Sequence, residues 1–146
     1  MGQQQLLLII LGVIIVGIAV AVGITMFTGG ARDANRDQVI NDLVNLSAKS
    51  QQFYRRPFAM GGGGNSFVNF QLTIADTGNA NGSYSVTSTL PSGTAGVPGD
   101  TARYVGSAAG PLYIVGCGKE LGNNNLQNVK AYITVNPTTS ATISLN

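Results

Sequence analysis

The chain is predicted to adopt an α+β fold, in which a long N-terminal hydrophobic α-helical spine carries an amphipathic C-terminal half that packs on a small antiparallel β-sheet head. Three observations predict it. Residues 6–27, LLLIILGVIIVGIAVAVGITMF, hold nothing more polar than Thr25. Residues 31–56 repeat apolar side chains at three- and four-residue steps, the signature of a helix with one buried face. Beyond Asn65, Ser, Thr, Asn and Gly alternate with apolar residues in short runs bounded by turn signals, as in strands. The 146 residues divide accordingly into a hydrophobic helix over 1–30, an amphipathic helix over 31–60 that continues it, and a β-rich head over 61–146.

The first segment has no charge before Arg32, and the 22 residues from Leu6 to Phe27 make about 33 Å of helix, enough to cross a bilayer core of ~30 Å. A secretory signal peptide has a basic start, a shorter apolar run and a small-residue cleavage site; this N-terminus has no basic start and exceeds the length. Gly12, Gly17, Ala19, Ala21 and Gly23 include two pairs at four-residue spacing, Gly17/Ala21 and Ala19/Gly23, which either let helices approach closely or reflect the ordinary glycine content of membrane helices. Gly29 and Gly30 mark a candidate hinge, since each glycine costs a helix about 1 kcal/mol relative to alanine.

In the second segment Val39, Ile40, Leu43, Val44, Leu46, Phe53 and Tyr54 form the face expected to pack on the head, with Arg36, Asp37, Asp42, Asn45, Lys49 and Gln52 between them. Pro57 ends the helix by pushing Arg56 out of the α region, and Gly61 to Gly64 give a flexible reversal. If the two segments are continuous the spine is about 80 Å long. In the head, candidate strands are 66–75, 83–90, 103–107, 112–117, 129–135 and 141–145. Asn81-Gly82, Gly110-Pro111 and Asn136-Pro137 supply the turns, and residues 91–100 form the longest irregular loop.

Composition excludes several functions. A net charge of +2 from scattered basic residues leaves no footprint for nucleic acid. One cysteine, Cys117, and no histidine rule out an intrachain disulfide, Cys-His catalysis and a single-chain Cys/His zinc site. The head's carboxylates, Asp76, Asp100 and Glu120, are far apart in sequence and pair with no evident nucleophile, so no enzyme is expected. Residues 77–82 superficially resemble a calcium loop but begin with Thr77 and lack an acidic twelfth position, where Ser88 stands; a turn at Asn81-Gly82 is the expectation. Gly61 to Gly64 precede no Lys-Ser/Thr pair and are no phosphate cradle. No cofactor or metal is expected. Asn45 and Asn81 begin glycosylation sequons, with Asn81, in a turn, the more accessible. Phe27, Phe53, Tyr54, Phe58, Phe67 and Phe70 are read mainly as burial at the helix-sheet junction rather than as a conducting path.

A very short leader ending in Gly2, polar residues Gln3 to Gln5, an apolar N-terminal helix, an amphipathic continuation and a C-terminal sheet resemble the layout of type IV pilins and the related pseudopilins. The resemblance covers the whole chain and is architectural. It implies a structural subunit of an extracellular pilus-like filament, a helical homo-oligomer exposing its head for adhesion, colonisation or motility. It also implies an inner-membrane pool before assembly, pilus assembly machinery, and a prepilin peptidase that cuts after Gly2 to leave Gln3 first, with methylation. Leu6, Leu7, Leu8, Ile10, Leu11, Ile14, Ile15, Gly17, Ile18, Ala21 and Val22 would pack the filament core. Two positions depart from the family pattern. No basic residue precedes Gly2, and the fifth position is Leu7 counted from Gln3 or Gln5 counted from Met1, where the family carries glutamate. A buried ammonium needs a partner, a role open to the carbonyls of Gln3, Gln4 and Gln5 or to cyclisation of Gln3; a polar collar at the membrane interface is the alternative. The alternatives to a long filament are a pseudopilin of a secretion apparatus and a monomeric membrane-anchored binding module.

Overall fold

A computed structural model describes residues 2–91, 111–122 and 127–144. Helix α1 (Gly2–Arg55) runs unbroken for 54 residues. Short 3-10 turns follow at Phe58–Met60 and Ile74–Asp76, and then strands β1 (Gly82–Thr87), β2 (Leu112–Leu121), β3 (Asn128–Val135) and β4 (Ser140–Ser144). The strands form one antiparallel sheet in the order β1-β2-β3-β4. The expected α+β class is the one adopted.

The candidate hinge is not a break in this structure: α1 passes through Gly29 and Gly30 as regular helix. Two glycines weaken a helix without removing any hydrogen-bonding group, unlike proline. Just before them the Thr25 hydroxyl donates to the Val22 carbonyl at 2.8 Å and that of Thr28 to the Thr25 carbonyl at 3.0 Å.

The far end of α1 shows why four glycines follow it. The last carbonyls of a helix lack intrahelical donors. Here the chain folds back so that the N–H of Gly63 donates to Phe53 O at 2.8 Å, that of Asn65 to Tyr54 O at 2.8 Å, and that of Gly64 to Arg56 O at 2.9 Å. Gly61 and Gly64 have φ of 74° and 53°, and a side chain at Gly63 would collide with the Ser66 carbonyl. The run expected to be a flexible reversal is a hydrogen-bonded helix cap.

Four candidate strands are found near their expected places; β2 extends to Leu121, past the expected end at Cys117. The strand expected over 66–75 is not formed. Asn69 takes φ 65°, the Phe70 N–H closes a turn onto Phe67 O at 3.1 Å, and Phe67, Phe70 and Leu72 all point into the core, a spacing that defeats period-2 pairing. The strand expected over 103–107 and most of the loop over 91–100 lie outside the described residues. The turn at Asn136-Pro137 is present, closed by the Asn136 N–H on Thr139 O at 2.8 Å.

One face of the sheet receives α1. Val39 and Leu43 are fully buried and Leu46 nearly so, against Tyr84 and Val86 of β1, Ile114 of β2 and Ile133 of β3. Phe53 meets Phe70 edge-on with ring centroids 5.4 Å apart, and Tyr54 meets Phe67 at 4.8 Å, closing the upper end of the core. On the opposite face Val115, Lys130 and Tyr132 are also buried.

Candidate assembly surface and the helix-head junction

Everything in α1 before Gly29 is exposed. Leu6, Leu7, Leu8, Ile10, Leu11, Ile14, Ile15, Ile18 and Val22 all retain half or more of their surface in the isolated chain. Alone in water such a surface is untenable, so this segment is built for lipid or for protein neighbours. It is the one described helix long and apolar enough to cross a membrane. A Cβ added at Gly12, Gly17 or Gly23 would meet no other part of the chain within 4 Å, so the fold of the chain does not require their small size. Gly2 and Gln3 lie exposed in the first turn.

The junction depends on small residues on both partners. A Cβ at Gly116 of β2 would stand 2.8 Å from Val39 Cγ1 and 3.0 Å from Tyr84 Cε1, and one at Gly118 would strike the Asn35 side-chain oxygen. On the helix, Ser47 and Ser50 are buried, each hydroxyl satisfied by the carbonyl three residues back at 2.7 Å. These four positions let α1 lie against the strands. The serines share the spacing of Leu43 and Leu46, but their polar identity hid them from a reading of apolar periodicity. Of the seven residues expected on this face, Val39, Leu43 and Leu46 are buried and Ile40, Phe53 and Tyr54 pack beside them. Val44 does not: it is 47% exposed, because it lies about 100° round the helix from Leu43.

A polar clamp beside this core centres on Asp42. Its Oδ2 accepts from the Tyr84 hydroxyl at 2.5 Å, from Asn79 Nδ2 at 2.7 Å and from Asn81 Nδ2 at 3.2 Å. Asn35 adds a bond from Nδ2 to the Asn81 carbonyl at 3.0 Å. The loop they hold is itself tight, with the N–H groups of Asn81 and Gly82 both donating to Asn79 Oδ1. The reversal thus spans Asn79 to Gly82 and is organised by an Asn side chain. Nearby, Lys49 Nζ donates to Asp76 Oδ1 at 2.6 Å, and the Thr73 hydroxyl donates to the other carboxylate oxygen at 2.7 Å.

Burial pushes the Asp42 carboxyl up, but the bonds from Tyr84, Asn79 and Asn81 outweigh it and hold the group below its ordinary value of 3.8. Burial and the neighbouring carboxylate drive the Tyr84 phenol the other way, above its ordinary value. A carboxylate whose folded pKa is lowered adds stability that is complete above the ordinary value and is lost as pH falls through the lowered one. The head is therefore expected to hold a constant melting temperature from neutral pH to about pH 5 and to lose stability below about pH 4. Asp42→Asn should flatten part of that acid limb in a thermal-melt series against pH. Asp76, also lowered because the contacts of Lys49 and Thr73 outweigh burial, should contribute a further part.

Asn81 is not the accessible sequon. Its side-chain amide, the group that would carry a sugar, is bonded to Asp42, whereas Asn45 is exposed on α1. Phe53, Tyr54, Phe67 and Phe70 gather at the junction as expected, while Phe27 and Phe58 are exposed at 78% and 70%. A cleft of about 790 Å³ runs beside Ser83, Cys117, Lys119 and Lys130. Burial raises the Cys117 thiol, with the Lys130 charge opposing, so the thiol is protonated at neutral pH, and the described residues of the lining include no carboxylate or imidazole base. Among the described residues no group of three metal-ligating side chains comes together. The chain has no significant match among protein-family models, curated proteins or solved structures.

Proposed function

We propose that this chain is the structural subunit of a type IV pilus-like extracellular filament, held in a membrane before assembly and polymerised through residues 6–27. One observation carries the reading. A single helix joins a wholly exposed apolar half to a half locked on the head by Val39, Leu43 and Leu46. A flexible linker would serve a tethered binding module equally well. An unbroken helix instead fixes the head relative to the apolar segment, which a regular polymer requires and a simple tether does not.

Exchange of lipid for protein around the apolar helix gains little hydrophobic free energy, because both surroundings are apolar. Close packing must supply the attraction, and Gly12, Gly17 and Gly23, where a side chain would face open space in the isolated chain, allow it. The role is mechanical rather than catalytic: the head is displayed for adhesion, colonisation or motility. Processing after Gly2 by a prepilin peptidase and export by assembly machinery belong to the same reading.

Ile14→Asp places a carboxylate midway along the apolar half. It is expected to abolish filaments in material sheared from cells, since an unpaired charge in a packed helical core costs several kcal/mol. Immunoblotting of sheared and membrane fractions checks this. Loss from the membrane with no polymer in the unsubstituted strain either would favour a tethered monomer.

A further inference from the structure

The face of α1 turned away from the sheet carries charges that the head does not use. Asp33 and Asp37 are exposed at the end of this face nearest the apolar segment, and Arg55 at the far end, with Arg56 exposed just beyond the helix. Between them Val44 and Ala48 are exposed and uncharged. The intervening charges are engaged elsewhere, Asp42 by Tyr84 and Lys49 by Asp76. No ion pair joins Asp37, Arg55 or Arg56 to another described residue. Asp37 and Arg55 stand eighteen positions apart, which at 3.6 residues per turn is about five whole turns, so they leave the helix on one line about 27 Å from each other.

We propose that this line is the axial contact between copies of the chain: with two α1 helices parallel and displaced by about 27 Å, Arg55 of one copy meets Asp37 of the next. The inference rests on the polymer reading, which supplies the parallel orientation, since copies drawn from one membrane point their apolar halves the same way. An antiparallel pair would also bring Arg55 to Asp37, but it would send the two apolar halves in opposite directions. In the parallel arrangement each copy offers a cation at one end and an anion at the other. Such a head-to-tail contact repeats without closing, which is the requirement for an open filament. Exposed pairs are individually weak and screened by salt, so the contact sets the register while the apolar halves supply cohesion.

Cysteine cross-linking on the full chain tests the register. In a Cys117→Ser background, Asp37→Cys and Arg55→Cys are introduced together and singly, and the filaments are treated with a mild oxidant. A disulfide needs Cα atoms within about 7 Å, so no bridge can form within one chain. The double variant is expected to give a ladder of multimers resistant to detergent, which neither single variant gives. Filaments visible in the same sample without a ladder, or a dimer alone, would overturn the inference and leave the polymer reading intact. Absence of filaments from the unsubstituted chain would defeat the polymer reading itself. As a second readout, Arg55→Glu is expected to lower the sheared filament yield at least threefold and Asp37→Arg in the same chain to restore it; an unchanged yield, or loss without restoration, counts against the pairing.

Discussion

Leu43→Ala is expected to destabilise the head by about 2–5 kcal/mol, the range for removing a fully buried leucine and leaving a cavity. Leu43 is completely buried at the point where α1 crosses the sheet. Sheet on one side and helix backbone on the other restrict collapse into the space, so the cost should fall toward the upper half of the range. The thermal midpoint of the detergent-solubilised chain, followed by near-ultraviolet circular dichroism of the head's tyrosines, should drop by at least about 8 °C. Val44→Ala, one residue on but facing out, should move it little. The pair separates loss of helix-to-head packing from any general effect on helix propensity.

Gly116→Val acts on the same contact from the opposite side and should also destabilise the packing of α1 on the head. The first added carbon already stands 2.8 Å from Val39 Cγ1, closer than carbon atoms tolerate, and a tight 3.0 Å from Tyr84 Cε1, and two further methyl groups follow it. Overpacking of this kind costs about 1–3 kcal/mol, occasionally more. Relief requires α1 to lift from β2, which would strain the bonds of Asp42 to Asn79, Asn81 and Tyr84. Melting should therefore broaden as well as shift, and the acid sensitivity contributed by Asp42 should shrink. Val39→Ala in the same chain makes room for the new side chain and should recover part of the loss.

The spine was legible because its signals are long: an uncharged apolar run and a three-four repeat that persists over several turns. The strands over 83–90, 112–117, 129–135 and 141–145 were legible from alternation and from turns such as Asn136-Pro137. Residues 66–75 misled because Phe67, Phe70 and Leu72 look like a strand's apolar half, while the left-handed backbone at Asn65 and Asn69 leaves no periodic mark. Spacing alone places Val44 on the buried face, because it does not distinguish two adjacent apolar residues in a helix. The polar clamp was not legible at all. Asp42, Asn35, Asn79 and Asn81 are joined only by the fold, and each alone is an ordinary surface residue. Gly116 and Gly118 likewise acquire their meaning from the helix above them.

Electron microscopy of surface material sheared from cells, with mass spectrometry to identify the chain in it, tests most directly whether the apolar half of α1 exchanges lipid for copies of itself. The account predicts long filaments containing this protein, with a core of bundled helices and the heads outside. A preparation in which the protein stays in the membrane fraction and is extracted by detergent only as single 15.0 kDa chains would contradict it.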